Sequence, residues 1–326
     1  MKAVWYERFG PADEVLTLGE MADPVPGPDE VLVRVRASGV NPSDVKLRSG
    51  ARPGAVMAFP RIVPHSDGAG VIEAVGDGVD IARVGQRVWL WNAQWQRAFG
   101  TCAELVALPS AQAVHLPDGT SFEEGACFGI PAMTAWYALF GDGEDLSGKT
   151  VLVTGGAGTV GRYAVQMARA AGARVVATVS SDEKARHSTA GEWVNYRNSD
   201  VTGEVMEMTA GAGVDRIVEV DFGANQAASL ALIRPGGVIA SYASAAEMEP
   251  KLAFYPFMFK DVTLRMLIVY QIGLADHLRG AAALTHWLEE GTLSHAVVPG
   301  GGLGDAAQAH DRVMAGDKLG TVVLSV

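Results

Sequence analysis

The sequence predicts an α/β protein in which a doubly wound parallel sheet is accompanied by a second, β-rich lobe. Three observations carry that reading. Short apolar strands alternate with helices between Lys149 and Tyr242, the pattern of a parallel sheet covered by its own crossover helices. The first third strings β-like runs together with Pro and Gly punctuation instead. The length, 326 residues, exceeds what one hydrophobic core usually organises and suits about two domains.

Taken in order, Met1 to Arg8 begins like a strand and shows no basic-then-apolar leader. Residues 31–36 carry β-branched side chains suited to a pleated surface, 70–76 read as a buried strand closed by glycine, and 85–91 read similarly. Pro24-Val25-Pro26-Gly27-Pro28, Pro53-Gly54 and Asp77-Gly78 punctuate them as turns. After about Asp118 the character changes. Ser121-Phe122-Glu123-Glu124 has the form of a capping box and opens a helix. Residues 151–153 form a strand, 163–171 a helix, 174–179 a strand, 182–190 a helix, and 215–220 and 237–242 two further strands. From about Asp261 the tail is mixed and ends in a strand over 321–326, with Gly300-Gly301-Gly302 as a flexible loop. No internal repeat or low-complexity segment interrupts the chain.

Composition narrows the partners. A formal net charge of -11 argues against a nucleic-acid surface or an anionic membrane, while leaving room for a local basic pocket. Two cysteines, Cys102 and Cys127, cannot build a disulfide framework and suit a reducing, cytoplasmic setting. No stretch approaches the roughly 18 uncharged apolar residues that a membrane span requires, and the apolar run over 264–269 is broken by Arg265.

The strongest single feature is Val151-Leu152-Val153-Thr154-Gly155-Gly156-Ala157-Gly158-Thr159-Val160-Gly161. It places G-x-G-x-x-G at Gly156, Gly158 and Gly161, directly after a strand and before a helix. Glycine lets the backbone turn tightly and approach a pyrophosphate, and the helix N-terminus then offers free N–H groups to the phosphates. This is the fingerprint of a dinucleotide-binding Rossmann sheet. An NAD site places Asp or Glu at the tip of the second strand to bond the ribose hydroxyls. Here that strand ends Val179-Ser180-Ser181, with Lys184 one turn later and Tyr196-Arg197 closing the next strand. Hydroxyls and a cation suit a 2′-phosphate that a carboxylate would repel, so NADPH is the expected cofactor. Asp182 and Glu183 lie nearby, at helix N-terminal positions that favour acids and face solvent.

With these residues in view, the chain resembles the zinc-independent, ζ-crystallin-like quinone oxidoreductases of the medium-chain dehydrogenase/reductase superfamily. The resemblance spans essentially the whole sequence. Its marks are Gly39-Val40-Asn41-Pro42-Ser43-Asp44, Ser66-Asp67-Gly68-Ala69-Gly70-Val71-Ile72-Glu73, Gly129-Ile130-Pro131-Ala132-Met133-Thr134-Ala135, Val194-Asn195-Tyr196-Arg197 and 232–237, together with the glycine loop. It implies a GroES-like catalytic domain built from 1–121 and 263–326, and a Rossmann domain over 122–262. It also implies an active site in the cleft and a homodimer joined through the Rossmann domains. By position it implies Asn41 near the nicotinamide ribose and reacting carbon, and Thr134 beside the nicotinamide and phosphates. Gly156, Ala157, Gly158, Thr159, Val160 and Gly161 form the phosphate loop, and Ser180, Ser181, Lys184 and Tyr196 the 2′-phosphate pocket. Ser241, Tyr242 and Ala243 lie over the adenosine side, Leu267, Val269 and Tyr270 approach the carboxamide, and Gly320 and Thr321 close the cofactor site.

Zinc enzymes of this superfamily need a Cys, a His-Glu pair and a third soft ligand. Here Asn41, Ser66-Asp67 and the apolar Ile130 stand at those positions, and two cysteines cannot furnish a four-cysteine structural site. His65 beside Ser66 reads as a turn residue with a satisfied hydrogen bond, and the other histidines lack ligand spacing, so no metal is expected. Without a Lewis acid for an alkoxide, the easier chemistry is hydride delivery to an electron-poor quinone or enone.

Two departures bear on substrate. Arg52 stands about where relatives carry a tyrosine acid; it either meets an anionic group or an oxyanion, or is a solvated loop arginine. The segment 88–100 is long and aromatic. Trp95 and Phe99 are candidates to line the acceptor pocket by stacking, while Trp89 and Trp91 suit either the pocket or the core. Cys102 reads as a buried structural thiol. The reading is an NADPH-dependent, zinc-free quinone reductase. The rivals are an enone or enoyl-thioester reductase on the same fold, and a non-catalytic NADPH-binding structural or regulatory protein.

Overall fold

The computed structural model describes residues 1–51, 54–316 and 318–326. The chain divides into two compact units, one formed by Met1–Ile130 with Ala281–Val326 and the other by Pro131–Gly280.

In the unit Pro131–Gly280, six strands among the described residues form one sheet, parallel throughout. From edge to edge they are Glu192–Asn195, Arg174–Val179, Thr150–Val153, Val214–Glu219, Ile233–Ser241 and Thr263–Met266. The order reverses direction at Thr150–Val153, the first strand, and that switch point is where a doubly wound sheet leaves room for a ligand. Five of the strands give side chains, among them Leu152, Val176, Val194, Ile217 and Ile239, to a core shared with Val205, Phe222 and Leu232. Each such side chain contributes roughly 1.5–3 kcal/mol on burial. Parallel strands covered by helices have no water-facing side, which explains their near-continuous apolar sequence.

In the other unit, Glu30–Val40 is the organising strand. It pairs antiparallel with Asp67–Val75 along most of its length, with Leu105–Pro109 at residues 30–34 and with the C-terminal strand Thr321–Ser325 at residues 37–40. Its two ends thus have different second neighbours, one of them the strand Thr321–Ser325 from the far end of the sequence. Arg87–Leu90 and Ala113–His115 extend the other side. Val31, Val33, Val35, Ile72, Val88 and Leu108 belong to one of its core clusters, and Val4, Val40, Val63, Val322 and Leu324 to another.

One expectation is corrected. Gly300-Gly301-Gly302 is not a loop: it lies in the strand Val297–Gly302, parallel to Thr321–Ser325, with the register slipping between Pro299 and Gly302. A β-carbon at Gly300 would lie 2.9 Å from Val322 Cγ1, so this glycine serves close packing rather than mobility. The helix opened by Ser121 makes its capping box but runs only Phe122–Gly125; a new helix, Pro131–Phe140, starts at the proline.

Candidate active site

The glycine loop sits as its spacing implies, between Thr150–Val153 and the helix Thr159–Ala170, with Gly158 as the helix N-cap. Gly155 takes a left-handed backbone, φ 63°, and its N–H donates to Thr178 Oγ1 at 3.0 Å. A β-carbon at Gly156 would come within 2.6 Å of Ala177 Cβ, and one at Gly161 would meet the Gly155 carbonyl oxygen. The loop therefore lies flat on the neighbouring strand and on itself, a cradle that only glycine leaves open. A cavity of about 440 Å³ adjoins it, lined in part by Thr154, Gly155, Thr178, Tyr196 and Asp221.

The cavity wall is held from behind by Glu219, the fully buried last residue of its strand. Its Oε1 accepts from Thr154 Oγ1 at 3.0 Å, Asp221 N at 2.6 Å and Asn225 Nδ2 at 2.7 Å, and its Oε2 accepts from Ser229 Oγ at 3.1 Å. Glu219 was missed in the sequence. The available signal was an acid closing an otherwise apolar strand.

Ser180 and Ser181 directly follow the second strand, Arg174–Val179, and Tyr196 follows the partner strand in register, its N–H donating to the Val179 carbonyl at 3.0 Å. Ser180 is buried, Tyr196 is exposed, and Ser181 Oγ caps the next helix by accepting from Lys184 N at 3.2 Å. The structure thus brings Ser180, Ser181, Lys184 and Tyr196 to one end of two adjacent strands, with Asp182 and Glu183 exposed beside them. Ser241, Tyr242, Ala243 and Leu267 line a second cavity of about 390 Å³, since Leu267 N–H donates to the Ser241 carbonyl at 2.9 Å. Val269 is buried just beyond it and Tyr270 is half-buried. Thr134 is buried in Pro131–Phe140.

In the other unit, Asn41 caps the helix Pro42–Ser49, its backbone N–H donating to Asp44 Oδ2 at 2.8 Å. Its side-chain Nδ2 donates to Asp67 Oδ2 at 2.7 Å, and Asp67 also accepts from Ile130 N–H at 2.8 Å. Asp67 and Asp44 are fully buried, a pairing that sequence reasoning did not anticipate. Burial pushes Asp67 well above the usual carboxylate range, and the nearby Asp44 adds to the effect. Burial lifts Asp44 to about 7, against the pull of backbone N–H groups of Asn41 and Ser66.

The folded protein therefore keeps a proton on Asp44 that the unfolded chain releases above about pH 4. That contribution to stability is complete below pH 4 and is lost as pH climbs through 7. Three pH units at ~1.36 kcal/mol each make it roughly 4 kcal/mol. Asp44→Asn keeps an acceptor for Asn41 N–H and removes the ionisation. Its Tm is expected to fall less steeply from pH 5 to pH 8 than the parent's, and equal slopes in the two proteins would refute the assignment.

Gly320 and Thr321 open the C-terminal strand; Thr321 is buried and Gly320 accepts from Lys318 Nζ at 2.7 Å. Desolvation draws the Lys318 ammonium down to about 8. Trp89 and Trp91 belong to the core, Trp95 is half-buried and Phe99 is exposed. Arg97 holds this segment from within, donating to the Ala93 and Asn92 carbonyls and to Gln112 Oε1. Arg52 lies outside the described residues. Both cysteines are free and buried, with Cys127 pushed up to about 12 by burial, so neither offers a thiolate. Among the described residues no three His, Cys, Asp or Glu side chains converge as a metal site, and no helix is long and apolar enough to cross a membrane.

Comparison with known proteins agrees with this architecture. The "Alcohol dehydrogenase GroES-like domain" family matches residues 27–118 and the "Zinc-binding dehydrogenase" family residues 159–286. A quinone oxidoreductase of Mus musculus is 31% identical, covering 99% of this chain and 97% of its own. The crystal structure of a Pseudomonas syringae pv. Tomato quinone oxidoreductase is 30% identical with a TM-score of 0.87, covering 100% of this chain and 99% of the other. Mycobacterial Rv1454c, solved with NADPH, is 30% identical with a TM-score of 0.86, and each chain is covered completely.

Proposed function

Because the chain belongs to the quinone oxidoreductase family of the medium-chain dehydrogenase/reductases and is an oxidoreductase, we propose that it reduces quinones or related conjugated carbonyls with NADPH and without zinc. The observation that carries the cofactor choice is the end of the second strand, where Ser180, Ser181, Lys184 and Tyr196 gather and no carboxylate occupies the tip. The flat glycine cradle and its adjoining cavity support a bound dinucleotide, held by residues 122–262. When bound, NADPH supplies the hydride. The loop's N–H groups and the helix Thr159–Ala170 hold the phosphates, Lys184 and the serines hold the 2′-phosphate, and Asn41 and Thr134 orient the reacting ring. Arg52, Trp95 and Phe99 are assigned to the acceptor side. At the positions where zinc relatives carry ligands, Asn41, Ser66 and Ile130 offer no tetrahedral set, which supports chemistry by orientation of an already electron-poor acceptor.

The same reading makes the protein a homodimer through its dinucleotide-binding unit. In support, Thr263–Met266 is an edge strand, and Phe254, Tyr255, Phe259 and Met266 close by are all more than half exposed. Nucleic acid is no partner at a net charge of -11, and two free, buried cysteines support a cytoplasmic setting.

The test follows NADPH and NADH oxidation by absorbance against quinones, enones and enoyl-CoA esters, with and without chelator. Expected are NADPH turnover with quinones, indifference to chelator, and about a tenfold rise in KM for NADPH in Lys184→Ala, as for one lost charge-assisted hydrogen bond. Equal use of NADH would overturn the cofactor assignment. Turnover of enones or thioesters alone would move the protein to that rival activity, and tight NADPH binding without any turnover would make it a binding protein.

A further inference from the structure

His65 is fully buried and holds a left-handed backbone, φ 79°, a conformation that a β-carbon disfavours and glycine adopts freely. Its Nδ1 lies 2.8 Å from Ser38 Oγ, and its Nε2 lies 2.9 Å from Nε2 of His310. Ser38 Oγ is 2.8 Å from Thr101 Oγ1, which donates to the Asp67 carbonyl at 2.5 Å. Ser38, His65, Asp67, Thr101 and His310 are all fully buried.

Counting hydrogens sets every direction in this chain. A carbonyl oxygen only accepts, so the Thr101 hydroxyl proton points to Asp67. Ser38 must then give its own proton to Thr101. His65 must donate from Nδ1 to Ser38, which leaves its Nε2 bare while the ring is neutral, and His310 must donate from Nε2 to it. Burial keeps both rings neutral: His65 lies well below the ordinary imidazole range and His310 falls to about 3, with Arg48's charge adding to the burial. Consistently, His310 Nδ1 has no hydrogen-bond partner among the described residues, so the ring's single proton is spent on His65. The result is a one-way chain from His310 through His65, Ser38 and Thr101 to Asp67.

Asp67 is also the residue whose side-chain carboxyl oxygens accept from the Asn41 amide and the Ile130 N–H. We infer that His65 and His310 are positioning residues, which lock Asp67 and, through it, the Asn41 side-chain amide in the orientation used for hydride transfer. This rests on the assignment of Asn41 to the reaction. Packing alone gives no reason for histidine at position 65, because glycine would meet the backbone geometry without strain. The side chain is what the position keeps, and its two nitrogens are both used.

Four single variants, one double variant and NMR of the histidine rings and the Asn41 amide test it. His65→Gly relieves the backbone and deletes the chain, whereas His65→Asn tolerates the left-handed geometry and returns an amide N–H near Nδ1. His310→Leu removes the terminal donor, and His310→Gln returns one near Nε2. The expected result is about a tenfold fall in kcat for His65→Gly and His310→Leu, with the Kd for NADPH within twofold. Recovery to within about threefold is expected for His65→Asn and His310→Gln. Because the chain acts as a unit, the double variant His65→Gly/His310→Leu should be no worse than either single one. In 15N-histidine NMR of the parent, His65 should carry its proton on Nδ1 and His310 on Nε2. The Asn41 side-chain amide signal should move in His310→Leu and return in His310→Gln. Unchanged kcat in both deleting variants, losses that follow Tm without rescue, the opposite tautomers, or an unmoved Asn41 amide would each overturn the proposal. If the parent turns over no acceptor while the tautomers and amide shifts come out as expected, the assigned activity fails and the positioning chain stands.

Discussion

Replacing Gly161 by valine is expected to weaken NADPH binding by about 100-fold, equivalent to about 2.7 kcal/mol. A β-carbon at this position meets the Gly155 carbonyl oxygen and lies 2.9 Å from Gly156 Cα, so it presses on backbone at both contacts. Backbone cannot swing aside as a flexible side chain can, and overpacking of this kind costs roughly 1–3 kcal/mol. Valine's better helix propensity returns only a few tenths of a kcal/mol, so the clash wins. The loop must lift off the helix Thr159–Ala170, and its N–H groups then no longer converge on a phosphate. Fluorescence titration of NADPH and thermal melts read both effects. Gly191→Ala is the control, because a β-carbon there meets nothing within 4 Å. A Gly161→Val protein that bound NADPH like the parent would remove the glycine cradle from the site.

Glu219→Leu is expected to destabilise the fold by about 3–5 kcal/mol, because four buried neutral donors lose the one acceptor they share. The four donors that converge on Glu219 would be left in an apolar setting, each paying the desolvation penalty of an unmade hydrogen bond, about 1–3 kcal/mol. Relaxation of the helix Phe222–Leu232 recovers part of that sum. All four donor residues, Thr154, Asp221, Asn225 and Ser229, line the cavity beside the glycine loop, so a loss of NADPH affinity of about tenfold should accompany the drop in stability. Glu219→Gln keeps an acceptor for Thr154 and Asn225 and should lose less than half as much. Denaturant melts together with NADPH titration decide it: equal stability of the leucine and glutamine variants would show that Glu219 is not the organising acceptor.

Much of this could be read from the residues in line. The glycine loop declared itself because each glycine answers a local steric need, and local needs are written at fixed spacing. The parallel sheet was legible for the same reason, since strands buried on both faces leave unbroken apolar runs. The capping box at Ser121 was legible as well, although its helix runs only over Phe122–Gly125 and a separate helix starts at Pro131. The glycine run over 300–302 misled because composition suggests freedom, whereas a long-range strand partner uses the same lack of side chain for close packing. The aromatic segment 88–100 divided in two: Trp89 and Trp91, in and just after the strand Arg87–Leu90, went to the core, while Trp95 is half-buried and Phe99 exposed in the irregular stretch beyond it.

What the sequence determined by itself is the α/β class, the place of the dinucleotide loop, and the residue types at its second strand end, all of which depend on neighbours within a turn or a strand. What the tertiary structure alone decided is which distant polar groups are buried together. His65 and His310 are separated by 245 residues, and in line each is a lone histidine without ligand spacing. Asn41 and Asp67 likewise meet only because two antiparallel strands bring their ends side by side. The physical reason is that hydrogen bonds between buried side chains are paid for by the packing of whole strands and helices, so their partners are set by the assembled fold and not by spacing along the chain.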